Sequence, residues 1–286
     1  MRTEIIQTDF GKHTIYIAEE KGLPQLFCVH GGMGLGSDSL IKGLLPLSQI
    51  FDLIFIDLRG CGNSNRPSND SYHLSDFSHD IIQIVKAKRN NNNKQIGIFG
   101  HSLGGMIAIN ILATNKSIFS FAILSNSALD DKWREHSRNA VKSIYNPNLE
   151  NALQHYSENP NSNEILRELA IEYGPIYFPE LTNEESKKYM TQFSYRADAM
   201  DFTGNYVYPN MDLTSDVKAI EIPILVIGGS RDVVVPLFCQ KKLVNTLSDG
   251  TLAIIQETGH FPFITQNQFF YNAVSQWWEI YLSRPI

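Results

Sequence analysis

The chain has 286 residues, of which 43% are hydrophobic and 19% charged, a composition typical of a globular protein with a sizeable core. This composition excludes a disordered, collagen-like or coiled-coil chain. With 24 basic against 30 acidic residues, the net charge of −6 gives no general attraction to phosphate, so nucleic acid is not an expected partner.

The N-terminal residues interleave charged and apolar side chains and show no signal-peptide pattern. No apolar run reaches the length of a membrane span. We therefore expect a cytoplasmic protein that does not associate with membranes. The cysteines Cys28, Cys61 and Cys239 have no disulfide or zinc-ligand spacing, and we predict that they are small core residues.

Eight strands are predicted along the chain. The first two, at residues 4–8 and 14–18, form a hairpin around Gly11. Short apolar runs then predict buried strands at residues 25–29, 53–56, 96–99, 119–124, 224–227 and 252–255. Helical spacing separates several of them, at residues 77–85, 106–112, 237–247 and 269–281. This alternation predicts an α/β fold with a mostly parallel eight-stranded sheet flanked by helices.

The alternation is interrupted by a segment rich in Asn, Glu and Tyr. We predict that residues 127–210 form an inserted helical cap, with helices near residues 131–145, 163–173 and 183–195. Residues 1–126 and 211–286 then form the core domain. The Asn-rich run at residues 89–94 is predicted to be a solvated loop.

A G-x-S-x-G motif follows the strand predicted at residues 96–99. Its letters are Gly100-His101-Ser102-Leu103-Gly104, and a helix is predicted directly after it. A strand, tight turn and helix in this order project a serine hydroxyl from the edge of a sheet. Ser102 is therefore the candidate nucleophile, and the alternative is a plain Gly-rich turn with a solvated serine.

A serine hydroxyl is a weak nucleophile and needs a base, which in turn needs an orienting carboxylate. Asp232 and His260 each come shortly after a predicted strand, at the edge where open α/β sheets place their ligands. The order Ser, Asp, His along the chain is the known order for this arrangement. The alternatives are a solvated or helix-capping role for Asp232 and a structural role for His260.

A Gly-rich turn, His30-Gly31-Gly32-Met33-Gly34, follows the strand predicted at residues 25–29. Backbone N–H groups in such a turn can bind the negative oxygen of a tetrahedral intermediate. The expected donors are the N–H of Leu103 and one from Gly32 or Met33. Phosphate binding is the alternative, but no P-loop or G-x-G-x-x-G pattern accompanies the turn.

These motifs together resemble those of the α/β-hydrolase superfamily. The turn Asp57-Leu58-Arg59-Gly60-Cys61-Gly62-Asn63-Ser64 is similar to its D-x-R-G-x-G-x-S turn, and we interpret it as scaffold. The Gly-rich turn resembles the H-G-G-P-G of proline iminopeptidase-like aminopeptidases, with Met33 in place of proline. In the G-x-S-x-G motif, His101 and Leu103 are more typical of esterases. Glu172 resembles the cap glutamate with which iminopeptidases bind a substrate ammonium, and the alternative is a solvent-facing residue on a helix that also carries Glu164 and Glu168. His30 and His101 are further candidates for substrate contact.

The residues and the resemblance predict a serine hydrolase that cleaves a small ester, lactone or thioester through an acyl-enzyme. An aminopeptidase acting on N-terminal amino-acid amides is the alternative, and a non-catalytic ligand-binding protein is a further one. No metal or cofactor is expected, because side chains and backbone supply every step. The expected partner is a small molecule or short peptide, and the oligomeric state stays open.

Overall fold

The computed structural model describes residues 1–90, 95–143 and 145–283, so most of the predicted Asn-rich loop lies outside the described residues. Eight strands form one sheet in the order β1-β2-β4-β3-β5-β6-β7-β8. The pairs β1–β2 and β2–β4 are antiparallel and all other neighbours are parallel. The predicted α/β architecture is therefore confirmed. The strands are β1 Arg2–Thr8, β2 Gly11–Ile17, β3 Gln25–Val29, β4 Asp52–Ile56, β5 Ile96–His101, β6 Phe121–Ser125, β7 Ile224–Gly229 and β8 Gly250–Ile255.

The central strands are apolar on both faces because helices cover the sheet on both sides. In β3, Phe27 and Val29 belong to one apolar core, and Leu26 and Cys28 belong to the core on the opposite face. All five residues of this strand are buried. This explains why the parallel strands appear in the sequence as continuous apolar runs without polar alternation.

The helices outside residues 127–210 lie in these two layers. Helices α2 and α3 contribute Phe77 and Met106 to one core, whereas α1 and α13 contribute Leu40 and Trp278 to the other. Among the described residues, no helix combines the length and apolar character needed to cross a bilayer. The core helices are α1 Asp38–Leu44, α2 Leu74–Lys88, α3 Leu103–Thr114, α10 Thr214–Val217, α11 Leu237–Thr246, α12 Pro262–Thr265 and α13 Asn267–Leu282.

The segment between β6 and β7, which contains the predicted cap, is helical. Its described part holds α4 Trp133–Ser143, α5 Pro147–Glu158, α6 Asn163–Glu172, α7 Gly174–Tyr177, α8 Asn183–Met190 and α9 Ala197–Phe202. The chain leaves and re-enters the core side by side, because Asp130 and Asp212 form an isolated antiparallel bridge. Helix α5 was not predicted, although Asn146 caps it and Pro147 occupies its first turn.

The predicted minor features of the core are also present. The three cysteines are buried and unpaired. In the D-x-R-G-x-G-x-S turn, the buried Arg59 Nε donates a 2.6 Å hydrogen bond to Asp80 Oδ2, and Asp57 Oδ1 accepts one from the Ser37 N–H. These contacts hold loops together, as the interpretation of this turn as scaffold requires.

Candidate active site

The candidate nucleophile lies in a tight turn between β5 and α3. Ser102 has φ 53° and ψ −117°, a left-handed conformation that is strained for a residue with a side chain. The flanking glycines are required by close backbone approaches. A Cβ at Gly100 would lie 2.4 Å from the Gly104 carbonyl oxygen, and one at Gly104 would lie 2.3 Å from the Val29 carbonyl oxygen. Strain at such a position is characteristic of a functional site.

Asp232 and His260 meet in a buried hydrogen-bonded pair. His260 Nδ1 donates a 2.8 Å hydrogen bond to Asp232 Oδ2. Asp232 Oδ1 accepts from the backbone N–H groups of Val234 and Val235, at 2.8 and 3.0 Å. The carboxylate can accept only if Nδ1 carries the proton. In the neutral imidazole, Nε2 is then unprotonated. His260 is therefore arranged to accept a proton at Nε2.

Asn126 is a further contact of the Asp232 carboxylate, and the sequence reasoning missed it. Its Nδ2 donates to Asp232 Oδ2 at 2.7 Å and to the Gly259 carbonyl at 3.3 Å. Its Oδ1 accepts from Ser125 Oγ at 2.8 Å, so the amide orientation is determined. Asn126 directly follows β6, at the same sheet edge as the other candidates, and this position was the available signal.

A cavity of about 260 Å³ connects these elements. Ser102 and His260 both line it, together with Gly31, Gly32 and Met33 of the Gly-rich turn. The turn packs against the nucleophile, since a Cβ at Gly31 would lie 3.3 Å from the Ser102 Cβ. Ser102, His260 and the Gly-rich turn, which are distant from one another in sequence, therefore reach one cavity.

The candidate oxyanion donors are the N–H groups of Leu103 and of the Gly-rich turn. Gly32 lies beside Leu103, because a Cβ at Gly32 would be 3.6 Å from the Leu103 Cβ. Within the described part of the chain, neither the Leu103 N–H nor the Met33 N–H donates a hydrogen bond. Met33 itself has φ 63° and its sulfur accepts from the Tyr177 hydroxyl at 3.1 Å. Both N–H groups thus lack an acceptor in the described part of the chain, and Met33 lines the cavity.

His101 and His30 hold backbone segments around the cavity. His101 borders the cavity, and its Nε2 donates to the His260 carbonyl at 2.8 Å. His30 donates from Nδ1 to the Gly31 carbonyl at 2.8 Å and accepts the Leu58 N–H at Nε2 at 3.0 Å. Burial lowers the pKa of both imidazoles, so both are neutral. His30 uses both ring nitrogens in these bonds, which corrects the expectation that it contacts substrate.

Glu172 does not reach the cavity. It is on α6 and its carboxylate forms a 2.6 Å ion pair with the Lys187 ammonium. Its position corrects the expectation of a cap carboxylate that binds a substrate ammonium. No Asp or Glu is among the described residues that line the cavity.

The rest of the lining is mainly apolar and aromatic and comes largely from the segment between β6 and β7. Burial raises the pKa of Tyr173 to about 12, and it also raises the pKa of Tyr177 and of Tyr208, so their hydroxyls are neutral. The described residues contain no group of three or more His, Cys, Asp or Glu side chains arranged to bind a metal ion. The further lining residues are Leu35, Trp133, Arg134, Ser137, Arg138, Val141, Ile176, Met200, Gly204, Val234 and Phe261.

Comparisons with known proteins identify the fold family. The family model for the alpha/beta hydrolase fold matches residues 24–266. A proline iminopeptidase from Heyndrickxia coagulans is 25% identical over 260 residues, which cover 87% of this chain and 88% of the relative. A pimeloyl-[acyl-carrier protein] methyl ester esterase from Wigglesworthia glossinidia brevipalpis is 27% identical over 266 residues, covering 85% and 89%.

A solved structure has the same fold. The alpha/beta fold family hydrolase from Bacillus anthracis str. Sterne superposes with a TM-score of 0.77 at 22% identity, covering 96% of this chain and 98% of the other. The iminopeptidase relative confirms the partial resemblance seen in the motifs. Because the family match extends over most of the sequence, the chain belongs to the α/β-hydrolase fold family.

Proposed function

We propose that this protein is a serine hydrolase that cleaves a small carboxylic ester, lactone or thioester. The 2.8 Å contact between His260 Nδ1 and Asp232 Oδ2, in a cavity that Ser102 also lines, is the observation that supports the proposal most strongly. The cavity of about 260 Å³ favours a small-molecule substrate.

In the first half of the reaction, Ser102 Oγ attacks the carbonyl carbon while His260 Nε2 takes the hydroxyl proton. The Asp232 carboxylate stabilises the resulting imidazolium. The negative oxygen of the tetrahedral intermediate accepts from the Leu103 N–H and from a donor of the Gly-rich turn. The bond to the leaving oxygen or sulfur then breaks, and the leaving group takes the proton from His260.

In the second half, water attacks the acyl-enzyme. His260 Nε2 takes a proton from the water as its oxygen bonds to the acyl carbon. The second tetrahedral intermediate collapses, the bond to Ser102 Oγ breaks, and the proton returns to the serine. The products are a carboxylic acid and, from the first half, an alcohol, a thiol or, for a lactone, the hydroxyl of the same molecule.

The cavity favours an ester over an amino-acid amide. Recognition of a free N-terminal ammonium requires a carboxylate in the cleft, and the described lining has none. The two curated relatives are named for different bonds, one as a methyl ester esterase and one as an iminopeptidase. We therefore rank ester hydrolysis first and aminopeptidase activity second.

The test is hydrolysis of p-nitrophenyl butyrate by the wild type and by Ser102→Ala. The expected result is loss of turnover in Ser102→Ala, by about three orders of magnitude or more. Ser157→Ala is the matched control, because Ser157 is exposed on α5 and should leave turnover unchanged. Equal turnover in the wild type and Ser102→Ala would contradict the proposal. A wild type that binds ligands but hydrolyses no ester would favour the non-catalytic alternative.

A further inference from the structure

One face of helix α4 lies against the cavity opening that Ser102 and His260 share. Its lining residues are Trp133, Arg134, Ser137, Arg138 and Val141, which recur at the spacing of one helix face. The indole of Trp133 and the guanidinium groups of Arg134 and Arg138 carry N–H donors. The Ser137 hydroxyl can also donate a hydrogen bond. The face therefore presents donors and positive charge to the cavity.

The two arginines on this face carry charge that the protein does not neutralise. Among the described residues, neither Arg134 nor Arg138 forms an ion pair with a carboxylate. Other cations of the chain do have such partners, as in the pairs Arg59–Asp80 and Lys242–Asp130. Arg138 Nε donates to the Arg134 carbonyl oxygen at 3.2 Å, so its terminal amino groups remain for another acceptor.

Of the two arginines, Arg134 is the less exposed to solvent. Arg134 is half-buried and lines the same cavity as Tyr208. Tyr208 in turn contacts the Gly-rich turn, since a Cβ at Gly32 would lie 2.1 Å from the Tyr208 oxygen. Helix α4, through Trp133, and the Gly-rich turn thus both contact Tyr208.

The indole N–H of Trp133 is a second, independent observation that points to a ligand at this face. Its indole Nε1 is buried and has no hydrogen-bond partner within the described residues. The ring packs edge-on against Tyr208, with 5.3 Å between ring centroids, and Trp133 lines the same cavity. A buried N–H without an acceptor is unfavourable, so an acceptor atom of a bound molecule would stabilise this site.

We propose that α4 forms an anion subsite, and that the substrate is a small ester bearing a carboxylate recognised by Arg134 and Arg138. This inference rests on the proposed ester hydrolysis at Ser102. Guanidinium groups match a carboxylate through two hydrogen bonds, and the lining contains no acidic side chain that would repel it. The local positive charge contrasts with the chain's net charge of −6.

The test compares esters that differ only by a carboxylate or a neutral carboxamide. Monomethyl glutarate and methyl 4-carbamoylbutanoate carry this difference in the acyl part, and acetoxyacetate and acetoxyacetamide carry it in the alcohol part. We expect kcat/KM to be about tenfold higher for the carboxylate in at least one pair. The pair that shows the preference identifies the side of the scissile bond on which the anion lies.

The variant Arg134→Gln/Arg138→Gln should abolish the preference for the carboxylate while keeping turnover of the carboxamide. Lys132→Gln/Lys142→Gln is the matched control, because it removes the same charge from exposed positions at the two ends of α4 that do not line the cavity. This control should keep the preference. Circular dichroism of each variant establishes that the fold is retained. Equal kcat/KM within both wild-type pairs, or a preference that survives in Arg134→Gln/Arg138→Gln, would overturn the proposal.

A binding measurement separates this inference from the proposed function. Ser102→Ala is titrated calorimetrically with monomethyl glutarate, with acetoxyacetate and with their carboxamides. Tighter binding of a carboxylate, without ester turnover by the wild type, would support the subsite and contradict the proposed reaction. Turnover of the neutral esters, with equal binding within both pairs, would support the reaction and overturn the subsite.

Discussion

Asn126 Nδ2 and His260 Nδ1 donate to the same oxygen of Asp232, at 2.7 and 2.8 Å. The asparagine therefore fixes the carboxylate that orients the imidazole. Asn126 has φ 52°, a left-handed conformation that asparagine adopts more readily than most residues. Its backbone N–H donates to the Ile227 carbonyl at 2.8 Å, which connects the end of β6 to β7, the strand that precedes Asp232.

We predict that Asn126→Ala lowers kcat/KM for p-nitrophenyl butyrate by about tenfold, because a hydrogen bond to a buried carboxylate contributes roughly 1.5 kcal/mol. Asn205→Ala is the matched control. Asn205 Nδ2 also donates to a carboxylate, Asp201 Oδ1 at 3.0 Å, but this hydrogen bond is on the exposed surface and does not involve Asp232. Steady-state kinetics of the two variants measure the difference, and identical kcat/KM values would refute a positioning role for Asn126.

Relief of backbone strain at Ser102 should be measurable as stability. At φ 53° and ψ −117°, glycine is unstrained whereas alanine is as strained as serine. We predict that Ser102→Gly has a free energy of unfolding about 1 kcal/mol higher than that of Ser102→Ala. Urea denaturation of both variants tests this. A less stable glycine variant would show that the turn is not strained in the way the dihedral angles indicate.

The buried neutral histidines predict acid-sensitive stability. Burial lowers the pKa of His30 and His101 below the ordinary value of 6.5, so the unfolded chain binds protons before the folded protein does. Stability is therefore complete above pH 6.5 and falls as the pH drops below it, until the folded-state pKa values are reached. The slope approaches about 1.4 kcal/mol per pH unit for each proton.

His101→Gln should reduce that slope between pH 7.5 and 5.5, because glutamine can still donate to the His260 carbonyl but does not titrate. His155→Gln is the control, since the His155 side chain is exposed to solvent in the folded protein. Urea denaturation at several pH values gives the slopes. If His101→Gln and the wild type had the same pH dependence, His101 would not be the source of the acid sensitivity.

Glu172 offers a direct test of the aminopeptidase alternative. Its ion pair with Lys187 is partly exposed, so its loss should cost less than about 1 kcal/mol of stability. We predict that Glu172→Gln hydrolyses p-nitrophenyl butyrate with wild-type kcat/KM. We also predict that neither the wild type nor Glu172→Gln releases β-naphthylamine from proline β-naphthylamide. Selective turnover of the amide that disappears in Glu172→Gln would reverse the ranking of the two activities.

The sequence predicts best those features that a short pattern determines. The strand before Gly100, the turn at Ser102 and the helix after Gly104 follow from an apolar run and two obligatory glycines, and the structure contains all three. Asp232 and His260 follow strands, and parallel topology brings such positions to one edge. Short sequence patterns therefore suffice to predict the strands and the sheet edge at which the candidate site lies.

The rotation of helices around the cavity is not local, and the sequence did not predict it. Glu172 and Arg134 are both charged residues on amphipathic helices, and neither pattern distinguishes a solvated face from one that lines a cavity. The packing of α6 directs Glu172 to Lys187, whereas that of α4 brings Arg134 to the cavity. Asn126 was missed for a similar reason, because its role depends on a carboxylate that is distant in the chain.

Covalent labelling with a fluorophosphonate, followed by peptide mass mapping, tests the central claim most directly. The reaction requires a hydroxyl that is accessible and close to a base that takes its proton as the oxygen attacks, which few serines satisfy. We predict a single adduct on Ser102 in the folded wild type, formed at least about a hundredfold more slowly in His260→Ala. An adduct on another serine, or labelling of Ser102 at the same rate without His260, would contradict the assigned chemistry.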